Sequence, residues 1–415
     1  MAINTGAPSQ RPAAAPNGGG HIESGRSARR WGVVTGSGFL ILLFLGAVAL
    51  LVTVPRMLPG HKPTTLVVGS LPFWNLTNGP KVVTANRGSF NEVSPWIYGL
   101  ARNGQIVAQV PERAAETAAG MDELRRSGIP IVPTIANVTN GRWAYEPVAD
   151  ILHDPAAMTR HVNDIVALVL RESYAGIDID YEDLRGSDRE AFSTFVTNLG
   201  DALHAEDKIL SVAVFAKTSD EGDDQRNVAQ DYEAIGDAVD EVRLMAYDYH
   251  WSASTPGPVA PITWVREVLD YAKTQIPAEK IVLGIPVAGF DWVVGSEVNG
   301  DRVNSGGVNS GGVNGQGEPV SWLQCYGRTR AFNATLQYDR LSQSPSFRYT
   351  DEQGRAHEVW FENAESTTAK LEAAKSAGIR GVYLWMFGDE DDRTWTALRD
   401  VLPVNASSGA ERSSS

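Results

Sequence analysis

The chain has 415 residues, 43% of them hydrophobic, which is enough for one large folded domain with appendages and excludes wholesale disorder. Its net charge of −14 is uneven: residues 1–55 carry about +3 (Arg11, Arg26, Arg29 and Arg30 against Glu23), leaving −17 on the remainder, an excess that opposes binding to nucleic acid. The single cysteine, Cys325, excludes an intramolecular disulfide.

Residues 1–31 are rich in Gly, Pro, Ala and Ser and read as a disordered segment. Residues 32–54 follow without one charged side chain. As a helix they would reach roughly 34 Å, enough for a bilayer core of ~30 Å, so the pattern predicts one transmembrane helix. Arg26, Arg29 and Arg30 precede it, which predicts a single-pass cell-membrane protein with a cytoplasmic N-terminus and an extracytoplasmic body. A cleaved signal peptide is the competing reading, but its apolar region is usually shorter and ends in small residues, whereas this run ends in Val54-Pro55-Arg56. Residues 55–63 read as a linker.

From 64 to 402, short Val- and Ile-rich runs alternate with amphipathic stretches. Strands are predicted at Leu66–Trp74, Trp96–Leu100, Ile129–Asn137, Ala175–Glu182, Ile209–Lys217, Val242–His250, Ile281–Trp292 and Gly381–Gly388. Helices are predicted between them, among them Ala156–Glu172 and Asp188–His204. Gly128, Gly284 and Gly378 read as C-cap glycines. This alternation predicts an α/β fold, a closed (β/α)8 TIM barrel, with an open doubly wound sheet as the alternative. A small α+β insertion is predicted between strands seven and eight, at about 293–360. It begins with a tandem repeat, Val303–Gly307 and Val308–Gly312, which reads as a flexible connector. Residues 403–415 read as a disordered tail.

The segment Gly176-Ile-Asp-Ile-Asp-Tyr-Glu182 carries the chemistry. Residues two apart on a strand share a face, so Asp178, Asp180 and Glu182 point one way and Ile177, Ile179 and Tyr181 the other. The apolar set suits the outer helices, which leaves the acids lining the barrel. Carboxylates stacked there lose water and repel, so a proton is shared and at least one pKa rises, as a general acid requires. Glu182 falls at the C-terminal strand end, where barrel active sites form. A solvated edge strand and an all-oxygen metal site are the other readings of such a motif.

Tyr174-Ala-Gly-Ile-Asp-Ile-Asp-Tyr-Glu182 resembles the catalytic strand of glycoside hydrolase family 18, the chitinase family, whose pattern is Asp-x-x-Asp-x-Asp-x-Glu. Ala175 stands where that pattern has its first acid. Leu244-Met-Ala-Tyr-Asp-Tyr-His250 resembles the family's strand-six motif, Leu283–Trp292 its strand seven, and Gly381–Gly388 its strand eight with a sugar-platform tryptophan at Trp385. The Ser-x-Gly-Gly signature of strand three is absent. Ile131–Asn140 stands there instead and is more similar to the branch that includes spore-cortex and peptidoglycan hydrolases.

The resemblance implies a glycosidase acting on β-1,4-linked N-acetylglucosamine polysaccharide, in peptidoglycan or a chitin-like glycan, by substrate-assisted retention and without metal or organic cofactor. Glu182 would protonate the glycosidic oxygen, Asp180 would hold the substrate's 2-acetamido group, Asp178 would set the protonation of Asp180, and Tyr247 and Asp248 would contact the acetamido side. Aromatic residues at predicted strand ends, Trp74, Trp251, Trp292 and Trp385, suit the C–H faces of sugars, although ordinary packing would account for all but Trp385 equally well. A carbohydrate-binding relative without activity and an endo-β-N-acetylglucosaminidase on glycoprotein cores are the alternatives.

Overall fold

In a computed structural model, residues 65–221, 224–294 and 317–404 are described. The segment 32–54 and the Val303–Gly312 repeats lie outside them. Among the described residues no helix is long and apolar enough to cross a membrane.

Eight parallel strands close into a barrel: β1 (Leu66–Pro72), β2 (Glu92–Leu100), β3 (Thr134–Ala136), β4 (Gly176–Asp180), β5 (Ile209–Phe215), β6 (Glu241–Met245), β7 (Ile281–Pro286) and β8 (Gly381–Trp385). Closure is explicit, because β1 pairs in parallel with both β2 and β8. The open-sheet alternative is therefore excluded. The outer helices form as their periodicity requires. Pro155–Arg171 starts at Asp154, whose side chain accepts from the Ala156 N–H, and it buries Met158, His161, Val162, Ile165, Leu168 and Val169 along one stripe. Arg189–His204 buries Phe192, Phe195, Val196, Leu199 and Leu203 in the same way.

Two sequence expectations change. Gly128 and Gly378 do cap helices in the left-handed region, at φ 70° and 67°. Gly284 does not: it lies inside β7, where an added Cβ would meet the Leu244 carbonyl oxygen at 2.6 Å and the Tyr383 hydroxyl at 2.7 Å. It is glycine because the Tyr383 side chain crosses it. The apolar run Ile281–Trp292 is also two strands rather than one. β7 ends at Pro286, and Gly289–Val294 leaves the barrel to join an antiparallel five-stranded sheet with 318–320, 337–339, 344–350 and 356–360. That sheet and the helix Trp322–Ala331 enclose their own core of Val320, Cys325, Phe347, Val359 and Phe361.

Gly284→Ala should therefore lower stability by about 1–3 kcal/mol through overpacking. Gly327→Ala, in the middle of helix Trp322–Ala331 with open space around it, should raise stability by roughly 0.5–1 kcal/mol. Thermal unfolding of the two variants checks both signs.

Candidate active site

β4 divides its side chains between two environments. Ile177 and Ile179 join the core beneath the helices, and the Tyr181 hydroxyl meets His161 Nε2 at 2.6 Å, on the outer helix Pro155–Arg171. Asp178 and Asp180 face the barrel interior and are buried. Asp178 Oδ2 accepts from Thr134 Oγ1 at 2.8 Å and lies 3.3 Å from Arg243 Nη1. Asp180 Oδ2 accepts from Trp96 Nε1 at 3.1 Å. Oδ1 of each acid has no hydrogen-bond partner among the described residues.

Two buried carboxylates this close do not both ionise freely. Burial, and then the charge of Asp178, push Asp180 up to about 7, against the pull of the Trp96 hydrogen bond. Glu182 lies just past the end of β4, at the barrel mouth, where it keeps some exposed surface. Loss of water, then Asp180, raise it well above the usual carboxylate range; Asp183 and Asp248 add to this, and Arg226 opposes it.

Asn137 aims Glu182. Its Oδ1 accepts from the Glu182 N–H at 2.8 Å, and its Nδ2 donates to the Glu182 carbonyl at 2.7 Å and the Ala144 carbonyl at 3.1 Å. The next residue, Asp183, turns the chain away at φ 54°. On the far wall, the Tyr247 and Tyr383 hydroxyls share a 2.9 Å hydrogen bond. Burial raises both phenols well above their ordinary value, so each stays neutral and can donate. Asp248 follows Tyr247 with a left-handed backbone (φ 57°), and the surrounding protein pushes its carboxyl up to about 6 although it is open to solvent.

The site's aromatic wall centres on Trp96. Its ring lies 6.1 Å from Trp385, 6.1 Å from Trp74, 6.2 Å from Trp143 and 5.9 Å from Phe73. Trp74 is 40% exposed, so part of its face is free to meet a ligand.

Residues 75–391 match the family described as "Glycosyl hydrolases family 18". The putative sporulation-specific glycosylase YdhD of Bacillus subtilis is 33% identical over 326 residues, which span 77% of this chain and 71% of that protein. The cortical fragment-lytic enzyme of B. subtilis is 36% identical over 320 residues, 75% of this chain and 70% of that one. The spore cortex-lytic enzyme SleL of Bacillus cereus superposes with a TM-score of 0.72 at 27% identity, covering 83% of this chain and 76% of that one. The chain belongs to glycosyl hydrolase family 18. It is a glycosidase with a (β/α)8 barrel.

Within this family 18 barrel, Asp178, Asp180, Glu182, Tyr247 and Asp248 converge through the electrostatic influences described above, and Trp74 and Trp385 reach the same wall through Trp96. Trp292 is not among them. It stands on the first strand of the insertion sheet, fully buried against Phe290 and Gly317, because that strand has left the barrel. Trp251 is partly exposed on the loop after β6, and the His250 ring contacts the Thr255 carbonyl and packs on Gly257. Reading the sequence missed Trp96, Asn137, Arg243 and Tyr383. Alternation along Glu92–Leu100 and Glu241–Met245 places polar side chains inside the barrel and was the available signal for Trp96 and Arg243. Nothing local announces the hydrogen bonds of Asn137.

The raised Asp180 has a thermodynamic consequence. The native state holds its proton up to about pH 7, whereas an unfolded Asp releases it near 3.9. Stability from this group is full below the unfolded value and falls as pH rises through that window. Asp180→Asn should therefore raise Tm more at pH 8 than at pH 4, as differential scanning calorimetry at the two pH values can determine.

Proposed function

We propose that this family 18 glycosidase is a membrane-anchored, extracytoplasmic hydrolase that cleaves β-1,4 bonds beside N-acetylglucosamine in envelope glycan, peptidoglycan in the first instance. The observation that carries the reading is the interior row of Asp178, Asp180 and Glu182, whose mouth-ward carboxyl burial and then Asp180 raise well above the usual carboxylate range. Peptidoglycan is favoured over chitin because a relative named as a cortical fragment-lytic enzyme aligns over 75% of the chain, and because Ile131–Asn140 lacks the Ser-x-Gly-Gly segment.

In this reading Glu182 gives its proton to the glycosidic oxygen. The substrate's own 2-acetamido carbonyl attacks the anomeric carbon, forming an oxazolinium ion as the leaving sugar departs. Asp180 accepts a hydrogen bond from the acetamido N–H and stabilises the positive charge that develops there. The Tyr247 hydroxyl, oriented by Tyr383, donates to the acetamido oxygen and keeps it in line, and Asp248 adds a polar contact on that side. Glu182, now ionised, takes a proton from the incoming water, which opens the oxazolinium with net retention. Trp385 and Trp74 supply apolar faces for the pyranose rings. The uncharged segment 32–54 would keep the enzyme beside the envelope of its own cell.

Two measurements test this. The full-length protein should release new reducing ends from peptidoglycan and N-acetylglucosamine oligomers, and Glu182→Gln should lower kcat by roughly 10²–10⁴-fold. Equal release by both proteins removes Glu182 from the mechanism, and binding without release by either turns the protein into a carbohydrate-binding one. Separately, the chain should sediment with membranes and resist salt extraction, and deletion of 32–54 should free it. Recovery of the intact chain from the medium contradicts the anchor.

A further inference from the structure

Arg243 is buried in the barrel interior on β6, two residues from the equally buried Glu241. Its Nη2 donates to Glu92 Oε1 on β2 at 2.6 Å and lies 3.6 Å from Glu241 Oε2. Its Nη1 donates to Ser94 Oγ at 2.7 Å and lies 3.3 Å from Asp178 Oδ2. Ser94 Oγ contacts Thr134 Oγ1 at 3.1 Å, and Thr134 in turn donates to the same Asp178 oxygen. The guanidinium Nε, Glu241 Oε2 and Asp178 Oδ1 are left without hydrogen bonds among the described residues.

An incompletely satisfied ion cluster is a poor way to stabilise a barrel, since apolar side chains of the same volume often do as well or better. Its location suggests a different use. The family pattern has an acid three residues before Asp178, and this chain has Ala175 there. Asp178 instead meets a cation from β6, two strands away around the barrel. A neighbouring acid and a neighbouring guanidinium act on a carboxylate in opposite senses. The groups facing Asp178 are Ser94 and Glu92 on β2, Thr134 on β3, Asp180 on its own strand, Ser211 opposite it on β5, Arg243 and Glu241 on β6, and Tyr383 on β8. Arg380, just before β8, acts on Glu92 and Glu241. Of the two cations, Arg243 is the one whose nitrogen lies 3.3 Å from Asp178.

We propose that Arg243 is a positioning residue for hydrolysis: it holds Asp178 as the anion and so places the proton of the carboxylate pair on Asp180, beside Glu182. The inference rests on the proposed roles of Asp180 and Glu182, so its test includes a readout that needs no substrate.

The full-length chain carrying Glu92→Gln, Arg243→Lys, or Arg243→Gln with Glu92→Gln is compared with wild type. The double variant removes one charge of each sign, and circular dichroism and cooperative melting establish that it is folded. With carboxyl-¹³C aspartate, the lower of the two coupled titration steps assigned through Asp178→Asn should move up by about one pH unit in the double variant. It should return toward wild type in Arg243→Lys and move down in Glu92→Gln. On N-acetylglucosamine oligomers the double variant should lose at least about tenfold in kcat with KM little changed, and the acidic limb of its kcat profile should shift up with the titration step. A folded double variant with unmoved titration and kcat overturns the proposal, and so does Glu92→Gln without a downward shift should the double variant not fold. If wild type releases no product but the titration steps move as described, the placement of the proton on Asp180 by Arg243 stands, and the hydrolytic reading fails together with the part of Arg243 in it.

Discussion

The burial of two aspartates on one interior strand is the constraint from which the rest of this site follows. Asp178 and Asp180 sit where a barrel normally packs branched apolar side chains, and each loses most of its water. Such a pair is tolerated only if neighbours divide the labour. Thr134 and Arg243 meet one oxygen of Asp178, and Trp96 gives Asp180 one neutral donor. Glu182, nearest the mouth, is raised by loss of water and then by the charge of Asp180.

The same division explains the aromatic wall. Trp96 binds Asp180 through its indole N–H while its ring touches Trp74, Trp143 and Trp385. A residue that fixes a carboxylate therefore also supports the surfaces on which a sugar would rest. On the opposite side, Gly284 leaves room for Tyr383, and Tyr383 orients Tyr247. Positions that look like backbone detail are thus set by the side chains crossing them.

The barrel was legible because its strands and helices obey simple periodicities, and the acids of β4 were legible because alternation puts them on one face. Trp292 was misleading for the same reason. The largely apolar stretch from Ile281 reads as one strand, although Pro286 and Gly289 within it mark the point where the chain leaves the barrel for the insertion sheet. Asn137 reaches Glu182, 45 positions on, from the end of the adjacent strand, whereas Tyr383 and Arg243 act across the barrel interior on Tyr247 and Glu92, at separations of 136 and 151. Contacts of that kind exist only after closure, so periodicity can place such residues inside without naming their partners.

The account turns on one carboxyl of β4 remaining protonated near neutral pH. Infrared difference spectroscopy of wild type against Asp180→Asn, at pH 6, reads this directly. A protonated-carboxyl C=O band present in wild type and lost in the variant is the predicted result. A wild-type spectrum with carboxylate bands alone at that pH would contradict the account.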